Sequence, residues 1–186
     1  MIVKDGQARP PVRVWDPCVR IAHWTLVLTV AGAWLTRVGG GRWHEWLGYA
    51  ALAVVIARVA WGWAGSSYAR FSQFVRPPAA TLRYGQQVLA RAEPRHLGHN
   101  PLGAYMIVLL LLMVVLVSAT GWLYTTDAYW GVEWVEKLHE ALSDALVALV
   151  MLHVAGVVFT SLRQRENLAA AMLHGRKRPP VGHDVA

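Results

Sequence analysis

An all-α fold, a four-helix bundle spanning a membrane with short amphipathic helices on one side, is what this sequence predicts. Three observations carry the prediction. Apolar residues make up 55% of the 186 positions and mean hydropathy is +0.33, more apolar than a soluble domain of this length. The apolar residues gather into four runs long enough to cross ~30 Å of hydrocarbon. Nearly all charges fall in the gaps between those runs. A single membrane domain over 1–186 is expected, without internal repeats or low-complexity tracts.

The first apolar segment is expected over 19–36 and the second over 44–64; Gly39-Gly40-Gly41 keeps the turn between them short and makes them antiparallel neighbours. The third, 102–124, is the plainest, since Met106 to Val117 carries no polar side chain. The fourth is expected over 135–162. The first segment does not read as a cleaved signal, because Trp34-Leu35-Thr36-Arg37 offers no small-residue cleavage site. Between the second and third segments, Arg76-Pro77-Pro78 is expected to break any helix, and Thr81 to Ala92 reads as a short amphipathic helix on the membrane surface. Glu166 to His174 reads as another.

Charge sets the orientation. Lys4, Arg9, Arg13 and Arg20 precede the first segment. Arg70, Arg76, Arg83, Arg91 and Arg95 lie between the second and third, and Arg163, Arg165, Arg176, Lys177 and Arg178 follow the fourth. The other side holds only Arg37, Arg42 and Lys137 beside Asp127, Glu133 and Glu136. Both termini therefore face the cytoplasm, and the acidic loop 125–136 faces outward. This asymmetry accounts for the formal charge of +7 and excludes nucleic acid as the expected partner, leaving membrane lipid. Nine of the ten tryptophans, Trp15, Trp24, Trp43, Trp46, Trp61, Trp63, Trp122, Trp130 and Trp134, fall near segment ends, where an indole suits the interface. Cys18 is the only cysteine, so no internal disulfide and no Cys-x-x-Cys-His attachment is available.

The histidines carry the chemistry. His139 and His153 share the fourth segment. Fourteen helical residues advance ~21 Å and turn ~1400°, within ~40° of whole turns, so both imidazoles point the same way at two depths. His23 lies about one turn inside the first segment, on the side of His153, and His44 opens the second at the level of His139. Imidazoles in hydrocarbon need partners, and two depth-matched pairs, His23 with His153 and His44 with His139, suit two stacked bis-histidine haems held without covalent attachment. His99, in Gly98-His99-Asn100-Pro101, is open to three readings: a replacement for His23, a contact to a haem propionate, or a wall of a quinone pocket. His96, His174 and His183 fall in basic segments and read as solvated. Arg58, the only charge well inside the second segment, lies fourteen residues after His44 and reaches the inner level. It reads either as a partner for an inner propionate or as a side chain snorkelling to headgroups. Gly48, Gly121 and Gly156 let a flat ring approach a helix backbone or serve ordinary helix packing.

These residues resemble the bacterial cytochrome b561 and nickel–iron hydrogenase cytochrome b family. The likeness rests on Val14-Trp15-Asp16-Pro17, Arg20-Ile21-Ala22-His23-Trp24, His44-Glu45-Trp46-Leu47-Gly48-Tyr49, Arg58 with Trp61-Gly62, and Gly98-His99-Asn100-Pro101-Leu102-Gly103. Thr120-Gly121, His139-Glu140, His153-Val154-Ala155-Gly156 and the tail from Arg165 to Arg178 extend it over nearly the whole chain. The resemblance implies a four-helix dihaem cytochrome of a bacterial inner membrane, with His23, His44, His139 and His153 as iron ligands. It implies electron flow between membrane quinone, ubiquinone or menaquinone, and a periplasmic c-type cytochrome or a dehydrogenase or hydrogenase subunit. One branch of the family oxidises superoxide and reduces quinone, but that needs a basic outer funnel for an anion, and the outer loop here carries Asp127, Glu133 and Glu136. The hydrogenase-type alternative is weakened by the lack of a fifth helix. A non-redox anchor or metal-ion carrier would not need histidines in depth-matched pairs.

The orientation is directly testable. A reporter fused to the C-terminus is expected to work only if it is of a kind active in the cytoplasm, and one inserted near Asp127 only if active outside. A periplasmic C-terminus would overturn the charge argument.

Overall fold

The structure is a computed structural model that describes residues 10–182, 184 and 185; Lys4, Arg9 and His183, named above, lie outside the described residues. Four helices are long and apolar enough to cross a membrane: α1 Pro17–Leu35, α2 Arg42–Ala64, α5 Pro101–Tyr124 and α6 Glu133–Gln164. Between α2 and α5 lie a 3₁₀ turn, Ser67–Ala69, the short α3 Phe71–Phe74, and α4 Pro78–Leu89. α7, Leu168–His174, follows α6. By length and composition these four helices suit a multi-pass membrane protein.

Helix starts follow local chemistry. Asp16 caps α1, accepting from the Val19 amide at 2.9 Å, with Pro17 in the first turn. Asn100 caps α5 in the same manner, accepting from the Gly103 amide at 2.7 Å ahead of Pro101. The break expected at Arg76-Pro77-Pro78 separates α3 from α4, and Pro78 opens α4: it stands in the first turn, where an amide proton has no helical partner to lose. The amphipathic helix therefore runs over 78–89 rather than 81–92. It turns Thr81 and Tyr84 inward and leaves Leu82 and Leu89 exposed one face away.

In the bundle α1 packs along α2, α2 on α5, and α5 on α6, while no comparable seam joins α1 to α6. The mid-bundle core is Ala51 and Val55 of α2, Leu111, Met113 and Val114 of α5, and Leu146 of α6. Most other apolar side chains, such as Leu28, Leu35, Leu152 and Phe159, are exposed on the outer surface. That is stable where the surroundings are lipid tails.

The end of the bundle where α1 begins and α6 ends has a second core, formed by Val14, Trp15, Val19, Ala69, Leu97 and Ala171. A strand pair that local patterning did not foretell closes it. β1, Val12–Arg13, runs antiparallel to β2, Arg176–Lys177, with Val12 opposite Lys177. Gly175 makes this possible: it has φ +81°, and its carbonyl accepts from the Val14 and Trp15 amides at 2.9 and 3.1 Å. A Cβ there would stand 2.6 Å from the Trp15 carbonyl oxygen. Trp15 thus belongs to this core rather than to an interfacial belt. Charged pairs hold the same face. Arg95 bonds Glu166 at 3.0 Å and also Asp184, and Arg163 bonds Glu93 at 2.8 Å. Several cations of the inner face are therefore committed within the fold.

Asp16 ties the two helix ends together. Its second carboxylate oxygen accepts from the Trp61 indole at 3.1 Å and from the Ser66 hydroxyl. Loss of water pushes this carboxyl up, but the bonds from Ser66, the Val19 amide, Trp61 and the Cys18 amide together outweigh that and hold it below its ordinary value. Asp16→Ala is expected to lower stability by on the order of 1–3 kcal/mol in thermal unfolding of the detergent-solubilised protein at neutral pH. A carboxyl with a lowered folded pKa contributes above its ordinary value of 3.8 and loses that contribution as pH falls through the folded value. The gap between variant and parent should therefore narrow in acid. Equal melting at neutral pH would show that the cap contributes nothing.

Candidate functional site

The turn between α1 and α2 and the loop between α5 and α6 lie at the same end of the bundle, and each delivers a histidine beside it. His44, on the first turn of α2, directs Nδ1 to the Ala33 carbonyl of α1 at 2.9 Å. His139, near the start of α6, directs Nδ1 to the Val117 carbonyl of α5 at 3.1 Å and to the Thr120 hydroxyl at 3.2 Å. A carbonyl only accepts, so both Nδ1 atoms carry the proton and both Nε2 atoms keep a free lone pair. A ring nitrogen held in this way is the arrangement that orients a metal-ligating histidine. The two rings stand 6.0 Å apart, centre to centre, at 85°. Imidazoles ligating one ion from opposite sides through nitrogens ~2 Å from it have centres roughly 6 Å apart, so the pair fits an iron between them.

Glycines shape the same space. A Cβ on Gly121 would come within 3.0 Å of His139 Cε1, so a side chain there displaces the imidazole. Gly48, one turn beyond His44, would place a Cβ in open space. The α2 surface next to the ligand is thus a bare cradle for a flat group, and Ser118 of α5 donates to the Gly48 carbonyl at 3.4 Å.

The inner pair is built differently. His23 of α1 and His153 of α6 are both half-buried, on the two helices that share no broad seam, and His153 lies within electrostatic reach of His23. Nδ1 of His23 is buried without a hydrogen-bond partner, its ring set edge-on to Trp24 at 5.1 Å. A buried, unpartnered imidazole nitrogen is costly, and it marks a place where a further group completes the bonding. Gly156, one turn after His153, faces open space as Gly48 does.

Arg58 is 6% exposed, which rules out snorkelling. Its Nη2 donates to the Ala69 carbonyl at 3.2 Å and its guanidinium lies 5.2 Å from the Phe71 ring, while Nη1 is buried with no partner. A buried guanidinium nitrogen with a spare proton suits a carboxylate. Phe71 can lie across α2 because position 62 is glycine; a Cβ there would stand 2.1 Å from the Phe71 ring.

His99 is wedged between Trp15 and Phe74, with ring centres at 4.5 and 4.8 Å. Loss of water, and then the charges of Lys177, Arg58, His153 and His23, push its pKa far below the ordinary value, so it is neutral at physiological pH. It borders a cavity of about 20 Å³ with Gln73, Phe74, Arg76 and His96, room for about one water. His96, expected to be solvated, is half-buried: it stacks edge-on against Tyr84 at 5.2 Å and bridges to Val185. His174 is exposed, and its Nδ1 accepts from the Arg176 amide at 3.1 Å. Lys177, one of the basic tail residues in sequence, is 5% exposed. Only the pairing of distant tails buries it, and no local pattern signals that.

The ring spacing of His44 and His139 and the unpartnered Nδ1 of His23 suit planar, iron-centred groups held between histidines of the α1–α2 hairpin and of α6. Among the described residues no three or more His, Cys, Asp or Glu side chains converge as a closed metal site would need.

The family described as prokaryotic cytochrome b561 matches residues 14–175. A curated protein of Bradyrhizobium diazoefficiens, described as a probable Ni/Fe-hydrogenase B-type cytochrome subunit, is 24% identical over 217 aligned positions, covering 91% of this chain and 87% of the relative. No solved structure matches.

Proposed function

We propose the following for a chain that belongs to the prokaryotic cytochrome b561 family: it carries electrons across the inner membrane through two non-covalently held haem b groups, between membrane quinone on the inner side and a redox protein on the outer side. The observation that carries the reading is the His44–His139 pair, with ring centres 6.0 Å apart and each Nδ1 bonded to a helix carbonyl. His44 and His139 hold the outer haem, and His23 and His153 the inner one. Haem b would supply a one-electron carrier, and two histidine ligands would suit it to electron transfer rather than oxygen binding.

The chain's own residues do the rest. The Ala33 and Val117 carbonyls and the Thr120 hydroxyl fix ring orientation and raise ligand basicity. α6 links the two levels through ~21 Å of rise between His139 and His153. Arg58 offers Nη1 to a carboxylate of the inner haem. His99, neutral and held between two aromatic rings, borders the inner level, where ubiquinone or menaquinone exchanges electrons. The outer partner is a c-type cytochrome or a dehydrogenase or hydrogenase subunit; the relative named as a hydrogenase cytochrome subunit supports the latter. Superoxide as the outer reactant is less well supported. Lys137 is paired with Glu133, and Asp127, Glu133 and Glu136 share that side with the exposed Arg37 and Arg42, so the surface is mixed in charge rather than a basic funnel for an anion.

Mutation separates the two centres. His44→Ala and His139→Ala are each expected to abolish the outer low-spin signal in electron paramagnetic resonance, and His23→Ala and His153→Ala the inner one. His99→Ala is expected to keep both signals. Loss of the inner signal in His99→Ala, with its survival in His23→Ala, would move that ligand from α1 to the loop before α5.

A further inference from the structure

Lys177 is a lysine in an unusual place. β2 carries it under the inner-face core, where it is 5% exposed, and its Nζ reaches only the Gly98 carbonyl at 3.5 Å and the face of Trp15 at 5.3 Å. An ammonium has three protons to place, and among the described residues no carboxylate stands within ion-pairing distance of this one. The nearest acid acting on it, Glu166, is already bonded to Arg95 at 3.0 Å and to the Arg178 amide at 2.8 Å. Burial pulls the ammonium down to about 8, with Glu166 pushing it up and Arg95 down. Buried charges are ordinarily matched, so this one is short of an anion.

Arg58 is short of one too, at Nη1. Both cations border the same core: Lys177 Nζ lies 5.3 Å over the Trp15 ring, which packs on His99 at 4.5 Å and shares a core with Ala69, whose carbonyl accepts from Arg58 at 3.2 Å. Two under-matched buried cations thus converge on the level where the inner histidines lie. A group with two carboxylates answers both, and haem b has two propionates.

We propose that Lys177 is the second cationic partner of the inner haem, meeting one propionate while Arg58 meets the other, so that the β1–β2 pair forms part of the haem site. The inference rests on the dihaem reading above. A buried cation beside the haem favours the reduced, less positive state, so Lys177 raises the inner midpoint potential and leaves the outer one alone.

The test is potentiometric titration of the full-length protein in membranes, with the two haems resolved by their spectra. Lys177→Met keeps the stem that packs on Trp15 and removes the charge. The inner haem is expected to become about tenfold more oxidised at a fixed potential, a downward shift of ~59 mV for one electron, with the outer unchanged. Lys177→Arg is expected to restore the parental value, which a purely packing role would not require. Should Lys177→Met not assemble, Lys177→Gln is read in the same way. A variant that retains only the outer haem is the same result in stronger form, and Lys177→Arg must then recover the inner one. An unmoved inner potential, equal shifts in both haems, or no recovery with arginine would overturn the proposal. One haem per parental chain, or an inner signal that survives in His153→Ala, would instead overturn the dihaem reading, and the controls show this before any Lys177 variant is compared.

Discussion

An imidazole placed in hydrocarbon has two ring nitrogens and no water, so each nitrogen needs a partner supplied by the protein or by something the protein holds. In His44 and His139 one nitrogen is answered by a carbonyl of the preceding transmembrane helix, and the two remaining nitrogens belong to rings 6.0 Å apart. Much else in the bundle serves that requirement. The short turns bring α1 against α2 and α5 against α6, which puts a helix carbonyl beside each ring. Gly121 leaves room for the His139 ring, and Gly48 leaves the neighbouring backbone bare. α6 must be long, since it bears one histidine of each pair; its 32 residues extend ~48 Å, well beyond the ~30 Å hydrocarbon layer.

The inner end meets the same requirement with charge. Arg58 and Lys177 are buried there and incompletely matched, and Asp16, Trp61 and Ser66 lock the start of α1 to the end of α2 beside them. The strand pair and the Arg95–Glu166–Asp184 cluster fold the C-terminal tail over this face. The two levels therefore differ in kind: the outer is set in helix carbonyls and small residues, the inner is ringed by cations. Such a difference in local field would separate the potentials of the two haems proposed here and give electron flow between them a direction.

The spanning helices were legible because hydropathy and helix length are local properties, and Asp16-Pro17 and Asn100-Pro101 are local capping signals. The depth matching of the histidines was legible because a helix converts sequence spacing into rise and angle. Contacts between distant tails were not. Val12 meets Lys177 only through the bend at Gly175, so a residue in a basic run became a buried cation, and His96 passed from expected solvent to a half-buried seat against Tyr84. Arg58 was ambiguous in the sequence because burial depends on what covers a helix; Ala69 and Phe71, from the 3₁₀ turn and α3, cover it. The break at Arg76-Pro77-Pro78 was legible, but the start of α4 at Pro78 was not, because proline interrupts a helix interior yet suits a first turn.

The central claim is that four histidines serve two irons. The most direct measurement is the haem-to-protein ratio of the purified chain by pyridine haemochrome, combined with electron paramagnetic resonance of the oxidised form. The account predicts two haem b per chain and two distinct low-spin ferric signals. One haem per chain, or a high-spin signal from an iron lacking one axial histidine, would contradict it.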